Sequence, residues 1–402
     1  MNSTVRDAIV NKAKEMRQEI IDLERDLIRH PSPNPPAEYQ EISKFLADKL
    51  NSIGFEVNVV SCKPEKPNII ARLKGTHGKP VLIDCAHMDT VPVGGGWTVD
   101  PYEAMVKNGK IYGRGAYDAK ARITVYMMAA KVIKEAGYAL KGDLINCFTV
   151  DEETGGHEGS GYCVKPEYVA GDVAILEGPH SEIWYAESGH LTLRVHVIGK
   201  SAHAMYPWLG TNAIHKMTDV LIALRGYQKE LAKVRSTVPG LTFSTINVGK
   251  IVGGDKSNML ADSCSIDIDI RVIPESDHND VIKKVQGILE DLKQKDSEFT
   301  ARMDILKNAP PSASSPDLPI IDIIRKVSKS VIDSEPKVVG LNATSDGKTF
   351  RRIGIPTIHW GIGTPDNRAH GVDEFVNIED LIHLTAAHAL VNMEFLGYEK
   401  IA

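Results

Sequence analysis

The chain has 402 residues, of which 42% are hydrophobic and 25% are charged, and its formal net charge is −6. The chain has neither a basic stripe nor an apolar stretch of roughly 18–20 residues, which argues against nucleic-acid and membrane partners. The N-terminal segment mixes charges and lacks the apolar core of a signal peptide, and five scattered cysteines favour free thiols in a reducing compartment. We therefore expect a cytoplasmic protein.

Predicted helices and short apolar strands alternate over residues 1–188. The segment "VLIDCA" (81–86) is nearly all apolar, which suits a central strand covered on both faces. Strands that alternate with helices predict an α/β domain with a mostly parallel sheet. The predicted helices are 5–29, 37–54 and 118–137, and the predicted strands are 55–60, 68–73, 80–89, 143–150 and 172–178.

A different pattern begins at residue 189. In "CSIDIDIRV", residues Ile266, Ile268, Ile270 and Val272 share one face of a strand and polar residues share the other. Such alternation indicates an antiparallel sheet with one solvated face. Together with two long helices, it predicts a small α+β domain with a four-strand antiparallel sheet. The clearest segments are the strands 191–199 and 264–272 and the helices 212–234 and 281–295.

The final segment returns to the first pattern, with a helix at 318–333, an apolar strand at 356–363 and a helix at 378–397. The predicted fold is therefore α/β, with a mostly parallel mixed sheet and a smaller α+β domain inserted into it. The predicted boundaries are 1–188 and 304–402 for the two parts of the larger domain and 189–303 for the insertion.

Acidic and histidine side chains follow the predicted strands. Asp151, Glu152 and Glu153 come directly after a buried strand, although adjacent carboxylates repel each other and are costly to desolvate. Ligands usually bind at the carboxyl ends of strands in open α/β folds. The other candidates in comparable places are His87, Asp89, Asp118, Glu177 and His370.

These residue types suit zinc, and also manganese or cobalt. Five ligands could hold two ions if one carboxylate bridges them, and two ions ~3.5–4 Å apart can activate one shared water. One glutamate of the Glu152–Glu153 pair would then neutralise a cation, and the other would remain free as a base. Asp89, two residues from His87, is placed to hold the second ring nitrogen of that histidine. Taken singly, each residue also fits a structural role, such as a solvated loop acid or a helix cap.

The order of these residues closely resembles the di-zinc deacylase and exopeptidase family that includes acetylornithine deacetylase, succinyl-diaminopimelate desuccinylase, aminoacylase and glutamate carboxypeptidase. The resemblance implies two divalent ions per subunit, with zinc favoured over cobalt or manganese. It also implies a homodimer formed through the inserted domain, which serves as a lid and dimerisation domain. The segments that carry it are "AHMDTVPVGGGWTVDPY", "KIYGRGAYDAK", "DEETGG", "LEGP", "GKSAHAMYPWLGTNAI" and "NRAHGVDE".

The resemblance assigns the metal ligands by position. His87 and Glu177 would bind one ion. Glu153 and His370 would bind the other, and Asp118 would bridge the two.

The resemblance also assigns the catalytic roles. Glu152 would be the general base and then the acid that protonates the leaving amine, and Asp89 would orient His87. His203 in "GKSAHA" would stabilise the oxyanion, often from across a dimer interface.

Four further residues would contact the substrate. Asn258 and Arg271 resemble residues that hold a substrate carboxylate, for which a guanidinium suits because it can bind in a bidentate manner. Without the resemblance, Arg271 would be interpreted as a charge on the solvated face of the sheet. Thr344 and Ser345 belong to "LNATSDGKTF", which resembles a segment that lines the substrate pocket in desuccinylases and deacetylases.

The sequence departs from the family after the bridging aspartate. The family usually has Met-Lys-Gly-Gly there, whereas this chain has Ala119-Lys120-Ala121-Arg122, so we expect a pocket of different shape beside the metals. Members of the family often have a cis peptide bond after this aspartate. We predict one at Asp118–Ala119, although a non-proline cis bond costs about 3–4 kcal/mol.

The predicted function is metal-dependent hydrolysis of an amide bond in an N-acyl amino acid or a similar small carboxylate-bearing substrate. The resemblance also implies that glutamate at position 177 favours deacylases and carboxypeptidases over aminopeptidases and dipeptidases. A dipeptidase or carboxypeptidase of the same fold and a hydrolase of another C–N bond, such as a deaminase or carbamoyl hydrolase, remain alternatives. A non-catalytic binding protein is the least favoured, because every ligand position and the base are occupied.

Overall fold

The computed structural model describes residues 2–401. The chain forms two compact units. Unit 1 comprises Met1–Tyr185, Ser314–Val338 and Ser345–Ala402, and unit 2 comprises Ala186–Ala313 and Val339–Thr344.

The described residues contain ten α-helices and eighteen strands. The helices are α1 Ser3–Glu15, α2 Arg17–Ile28, α3 Gln40–Ile53, α4 Lys120–Glu135, α5 Ser160–Cys163, α6 Ala213–Leu231, α7 His278–Lys295, α8 Pro319–Val331, α9 Gly347–Arg352 and α10 Ile378–Leu396. The strands are β1 Glu56–Ser61, β2 Pro67–Leu73, β3 Val81–His87, β4 Met105–Lys107, β5 Lys110–Tyr112, β6 Tyr138–Leu140, β7 Asp143–Thr149, β8 Val173–Leu176, β9 Glu182–Glu187, β10 Gly189–Ile198, β11 Thr245–Gly253, β12 Ser263–Val272, β13 Thr300–Ala309, β14 Ser312–Ala313, β15 Lys337–Leu341, β16 Thr357–His359, β17 Phe375–Asn377 and β18 Tyr398–Lys400.

The main sheet of unit 1 has the strand order β1-β2-β7-β3-β8-β16-β9. Its four central strands, β7, β3, β8 and β16, are parallel, and the pairs β1–β2, β2–β7 and β16–β9 are antiparallel. Every residue of β3, β7 and β8 is buried, as expected for strands with helices on both faces. The mostly parallel mixed sheet is therefore confirmed.

Two helices of unit 1 are buried along most of their length. The first three turns of α4 are buried on all sides, and α10 buries fourteen residues, as is typical of helices without a polar face. The predicted helix 5–29 is instead two helices, α1 and α2, because Met16 leaves the helical conformation between them.

Unit 2 contains the predicted antiparallel sheet, with strand order β11-β12-β10-β13. Ile266, Ile268, Ile270 and Val272 of β12 are buried and pack in one core with residues of α6 and α7, so the predicted alternation is confirmed. The compact unit extends beyond the predicted 189–303. The boundary at 303 falls within β13, which continues to pair with β10 as far as Ala309.

Three further sequence-based expectations concern single features. The peptide bond Asp118–Ala119 is cis, as predicted. The five cysteines are free thiols. Within residues 2–401, no helix has the length and apolar character needed to cross a membrane.

Candidate metal centre

The carboxyl ends of the central strands lie along one edge of the sheet. His87 at the end of β3 is the register partner of Thr149 at the end of β7, and Cys85 of β3 pairs with Leu176 at the end of β8. The chain therefore delivers the residues that follow Thr149 and Leu176 to the same edge as His87. These are the residues that the sequence analysis selected.

His87 is buried, and its two ring nitrogens have different partners. Nδ1 lies 2.9 Å from the backbone carbonyl of Asp89 and Nε2 lies 3.1 Å from Asp118 Oδ1. Because a carbonyl can only accept, Nδ1 carries a proton, so loss of a proton from the ring would leave the lone pair on Nε2. Burial opposes the imidazolium, but the carboxylates of Asp118 and Asp89 outweigh it and raise the pKa of His87 well above its usual value. Nε2 is thus oriented as a metal ligand would be.

Asp118 lies between two histidines and contacts each with a different oxygen. Oδ1 faces His87, and Oδ2 lies 3.3 Å from His370 Nε2. His370 Nε2 also lies 3.0 Å from Glu153 Oε2, and hydrogen bonds to these two carboxylates raise the pKa of His370 to about 10. Ligand atoms of His87, Asp118 and Glu153 all lie within 4.8 Å of one another. These three side chains form a candidate group of metal ligands.

The remaining carboxyl groups of the site are crowded together, and burial opposes their ionisation. Burial raises the pKa of Glu177 to about 7, with His87 acting in the opposite direction. Burial also raises the pKa of Glu152 well above its usual value, and the charges of Asp346, Glu177 and Glu153 add to this effect. Glu153 Oε1 is buried and has no hydrogen-bond partner among the described residues. An unpartnered buried oxygen within a cluster of carboxylates fits a site built for cations.

The Asp89 carboxylate lies closer to the backbone N–H groups of Glu152 and Glu153 than to the His87 ring. Its two carboxylate oxygens accept hydrogen bonds from the backbone N–H groups of Glu152 and Glu153, both at 3.2 Å. The carboxylate lies 3.6 Å from His87 Nδ1, so the close contact to that nitrogen comes from the Asp89 carbonyl. The Asn34 side chain, which the sequence analysis did not select, also donates to Asp89 at 3.3 Å.

Asp151, the first of the three consecutive acids, has a structural role. Asp151 has a positive φ of 67°, and its carboxylate accepts hydrogen bonds from the Thr154 hydroxyl at 2.6 Å and the Glu158 N–H at 3.1 Å. Lys66 Nζ lies 3.3 Å away. These bonds fix the turn that directs the next two glutamates toward His87.

Glu374 is a site residue that the sequence analysis missed. It is fully buried, and Oε1 accepts hydrogen bonds from the N–H groups of Tyr117 and Asp118, both at 2.9 Å. Oε2 accepts from Gly115 N–H at 3.1 Å and from Arg114 Nη1 at 2.7 Å. The four bonds fix the loop that carries Asp118. The only sequence signal was an acid four residues after His370.

Glu177 is held through its backbone. His359 Nδ1 donates to the Glu177 carbonyl at 2.9 Å, and the Ser345 hydroxyl lies 3.0 Å from His359 Nε2. Burial lowers the pKa of His359 to about 3, so the ring is neutral and Nε2 accepts from Ser345. Ser345, predicted to contact substrate, is itself buried in this contact, whereas Thr344 is half-buried.

Two predicted site residues, His203 and Asn258, lie on paired segments of unit 2. The segment after His203 pairs with the segment around Asn258, through a bridge between His203 and Met259 and a 3.0 Å bond from Ala204 N–H to the Asn258 carbonyl. His203 Nδ1 accepts from Met205 N–H at 3.1 Å, which leaves Nε2 as the protonated donor of the neutral ring.

Arg271 already has a carboxylate partner within unit 2. Its Nε and Nη2 donate to the two oxygens of Asp269 at 2.9 and 3.2 Å. His190 Nε2 lies 2.7 Å from the same carboxylate. A substrate carboxylate at Arg271 would have to share this guanidinium with Asp269.

Comparison with known proteins identifies the family. The profile of the peptidase family M20/M25/M40 matches residues 85–394, more than half of the chain. The chain belongs to this family. As an M20 protein it is a metal-dependent amidohydrolase, and the candidate ligand group described above supplies a place for metal.

Relatives of the M20 chain cover nearly its full length. It is 28% identical to N-formyl-4-amino-5-aminomethyl-2-methylpyrimidine deformylase of Bacillus subtilis, over 94% of this chain and 95% of the relative. It is 30% identical to acetylornithine deacetylase of Vibrio vulnificus, over 84% and 86% of the two chains. The crystal structure of aminopeptidase PepT from Bacillus cereus matches with a TM-score of 0.79 at 20% identity, over 94% and 98%, which shows a shared fold.

Proposed function

We propose that this M20 enzyme removes a small acyl group from the nitrogen of an N-acyl amino acid or a similar small substrate, using two divalent ions. The relatives that align over most of the chain at 27–30% identity include a deformylase, a deacetylase and a probable desuccinylase, and each of these names describes cleavage of an acyl–nitrogen bond. The observation that carries the proposal is the placement of Asp118 between His87 and His370, with Glu152 beside them.

Each of the two proposed ligand sets includes one carboxylate oxygen of Asp118. One ion would be held by His87, Glu177 and Asp118 Oδ1, and the other by Glu153, His370 and Asp118 Oδ2. Nitrogen and carboxylate oxygen donors suit zinc, and they also accept cobalt or manganese. The unpartnered Oε1 of Glu153 supports a cation in this place.

Bound ions would polarise the amide carbonyl and lower the pKa of a shared water. Glu152 is the proposed base that takes the proton from this water and delivers it to the leaving nitrogen. Burial and neighbouring carboxylates raise the pKa of Glu152. The positive charge of bound ions would offset the effect of those carboxylates. Asp89 positions Glu152 by accepting its backbone N–H.

The proposed oxyanion donor is His203. Because Nδ1 accepts from Met205 N–H, the neutral ring offers Nε2–H, a hydrogen-bond donor of the kind that stabilises an oxyanion. The proposal places Asn258, Arg271, Thr344 and Ser345 around the rest of the substrate. Replacing Arg271 with glutamine is expected to raise KM for carboxylate-bearing substrates more than it lowers kcat.

We also propose that the protein forms a homodimer through unit 2. β11 is an edge strand of the sheet in unit 2, and its Ile251 and Val252 are 54% and 56% exposed. An exposed apolar edge strand favours pairing with another chain. Sedimentation analysis of the Ile251→Lys variant tests this assignment, which predicts a shift from dimer to monomer.

The central experiment compares Glu152→Gln with Glu153→Gln. Glu152→Gln is expected to lower kcat by about 10²–10⁴-fold, the typical contribution of a general base, while metal content stays at the wild-type level. Glu153→Gln is expected to lose metal as well as activity. A Glu152→Gln variant with kcat within a few-fold of wild type would refute the role of Glu152.

Substrate class is tested separately. N-formyl, N-acetyl and N-succinyl amino acids and dipeptides are offered to the chelator-treated enzyme after addition of zinc, cobalt or manganese. We expect acyl amino acids to be cleaved faster than dipeptides. Faster cleavage of dipeptides would replace the deacylase by a dipeptidase of the same family.

A further inference from the structure

Arg122 is a buried cation beside the candidate metal centre. It is 3% exposed, and its Nη1 donates a hydrogen bond to the Tyr117 carbonyl. The guanidinium also lies over the Tyr117 ring, with Cζ 4.5 Å from the ring centroid. Nε has no hydrogen-bond partner among the described residues. A buried arginine stays charged, because its pKa exceeds ~12.

The Tyr117 ring keeps this guanidinium in place. The backbone at Gly363 also lies close to this ring, because an added Cβ there would lie 2.0 Å from Tyr117 Cε2. The ring therefore packs closely against Gly363, and Arg122, the third residue of α4, lies against the ring. The positive charge is a permanent part of the site.

The charge lies near Asp118 Oδ1 and Glu177. Arg122 Nη1 lies 4.0 Å from Asp118 Oδ1, the oxygen that contacts His87. The guanidinium also interacts electrostatically with Glu177. On the other half, the only ion-pair partner of Glu153 within residues 2–401 is His370.

We propose that Arg122 makes the two ion positions unequal, so that the ion held by His87, Glu177 and Asp118 Oδ1 binds more weakly than the ion held by Glu153, His370 and Asp118 Oδ2. This inference rests on the two-ion centre of the proposed function. It adds an order of loading, in which the Glu153–His370 position fills first and the second ion binds only at higher metal concentration.

The physical reason is repulsion at short range. A zinc ion bonds to a carboxylate oxygen at about 2 Å, so an ion on Asp118 Oδ1 lies at most about 6 Å from Arg122 Nη1. That separation is shorter than the Debye length of about 8 Å at physiological salt, and the water-poor surroundings screen it less than bulk water does. The guanidinium also neutralises part of the negative charge of Asp118 and Glu177 that would attract an ion.

The test measures metal binding and not turnover. Chelator-treated protein is titrated with zinc by calorimetry and with cobalt by visible absorption, for wild type, Arg122→Met and Arg122→Lys. Wild type is expected to bind two ions with dissociation constants at least about tenfold apart. Arg122→Met, which removes the charge but keeps a similar length, is expected to tighten the weak step at least tenfold and to change the tight step less. Arg122→Lys keeps the charge and serves as the matched control.

Two ligand variants assign the steps. Glu177→Gln is expected to abolish the weak step, and Glu153→Gln the tight step. This comparison stands even if Arg122→Met fails to fold, which circular dichroism and thermal denaturation would reveal.

The outcomes separate the two proposals. Loss of the tight step in Glu177→Gln, or an unchanged weak step in a folded Arg122→Met, would overturn the role of Arg122 and leave the proposed function standing. A wild-type protein that takes up no divalent ion would overturn the proposed function itself, and this inference with it.

Discussion

Glu374 offers the sharpest test of how the candidate centre is held together. Its carboxylate accepts three backbone N–H groups of the loop before α4 and one guanidinium N–H of Arg114, at 2.7–3.1 Å. The Glu374→Gln variant keeps the shape of the side chain but removes the charge and turns one acceptor into a donor. That donor would face N–H groups that can only donate.

The expected loss can be worked from burial. The side chains of Arg114 and Glu374 are 2% and 1% exposed, and removing one partner of a buried ion pair costs about 3–5 kcal/mol. We expect the free energy of unfolding of metal-free protein to fall by a similar amount, measured by urea denaturation. Because the loop carries Asp118, we also expect zinc affinity to fall about 10–100-fold, as when outer partners of metal ligands are replaced.

An exposed ion pair with the same nitrogen–oxygen distance is the matched control. Arg17 and Glu379 also form a 2.7 Å ion pair, but their side chains are 44% and 64% exposed, and such pairs contribute about 0–1 kcal/mol. Glu379→Gln should therefore leave stability and zinc affinity nearly unchanged. If Glu374→Gln behaved like Glu379→Gln in both measurements, the four bonds would not be what fixes the Asp118 loop.

Three further predictions concern residues around the centre and in the core. Asp89→Ala removes the acceptor for two backbone N–H groups and should lower zinc affinity about 10–100-fold by calorimetric titration; unchanged affinity would contradict its positioning role. Gly159→Ala would place a Cβ 1.7 Å from the Val150 carbonyl oxygen, so the acidic turn must shift, and both thermal stability and zinc affinity should fall; a native-like melting temperature would argue against this. Burial raises the pKa of Glu24 to about 8. The protonated side chain therefore stabilises the fold at low pH. This contribution is lost as the pH rises from the usual glutamate pKa of about 4.5 toward 8, by at most about 1.4 kcal/mol per pH unit. Glu24→Gln should remove that slope in thermal denaturation between pH 5 and 8, and an unchanged slope would assign it to other groups.

The elements of the fold were largely predictable because their signals are local. The period of two along β12 and the apolar runs of β3, β7 and β8 depend on neighbours a few residues away, and the structure confirms them. The boundary of the inserted segment was less predictable. β13 has mixed polar and apolar residues and is extended to Ala309 by pairing with β10, a contact between distant segments.

The sequence by itself determined which side chains stand at the ends of the central strands, since parallel strands deliver their carboxyl ends to one edge whatever the details of packing. Only the tertiary structure decided how those side chains are held. Glu374 reaches the N–H of Asp118 across 256 positions of the chain, and Arg122 turns toward one oxygen of that aspartate and away from solvent. No periodic pattern encodes such contacts, because they depend on how separate segments pack against α4.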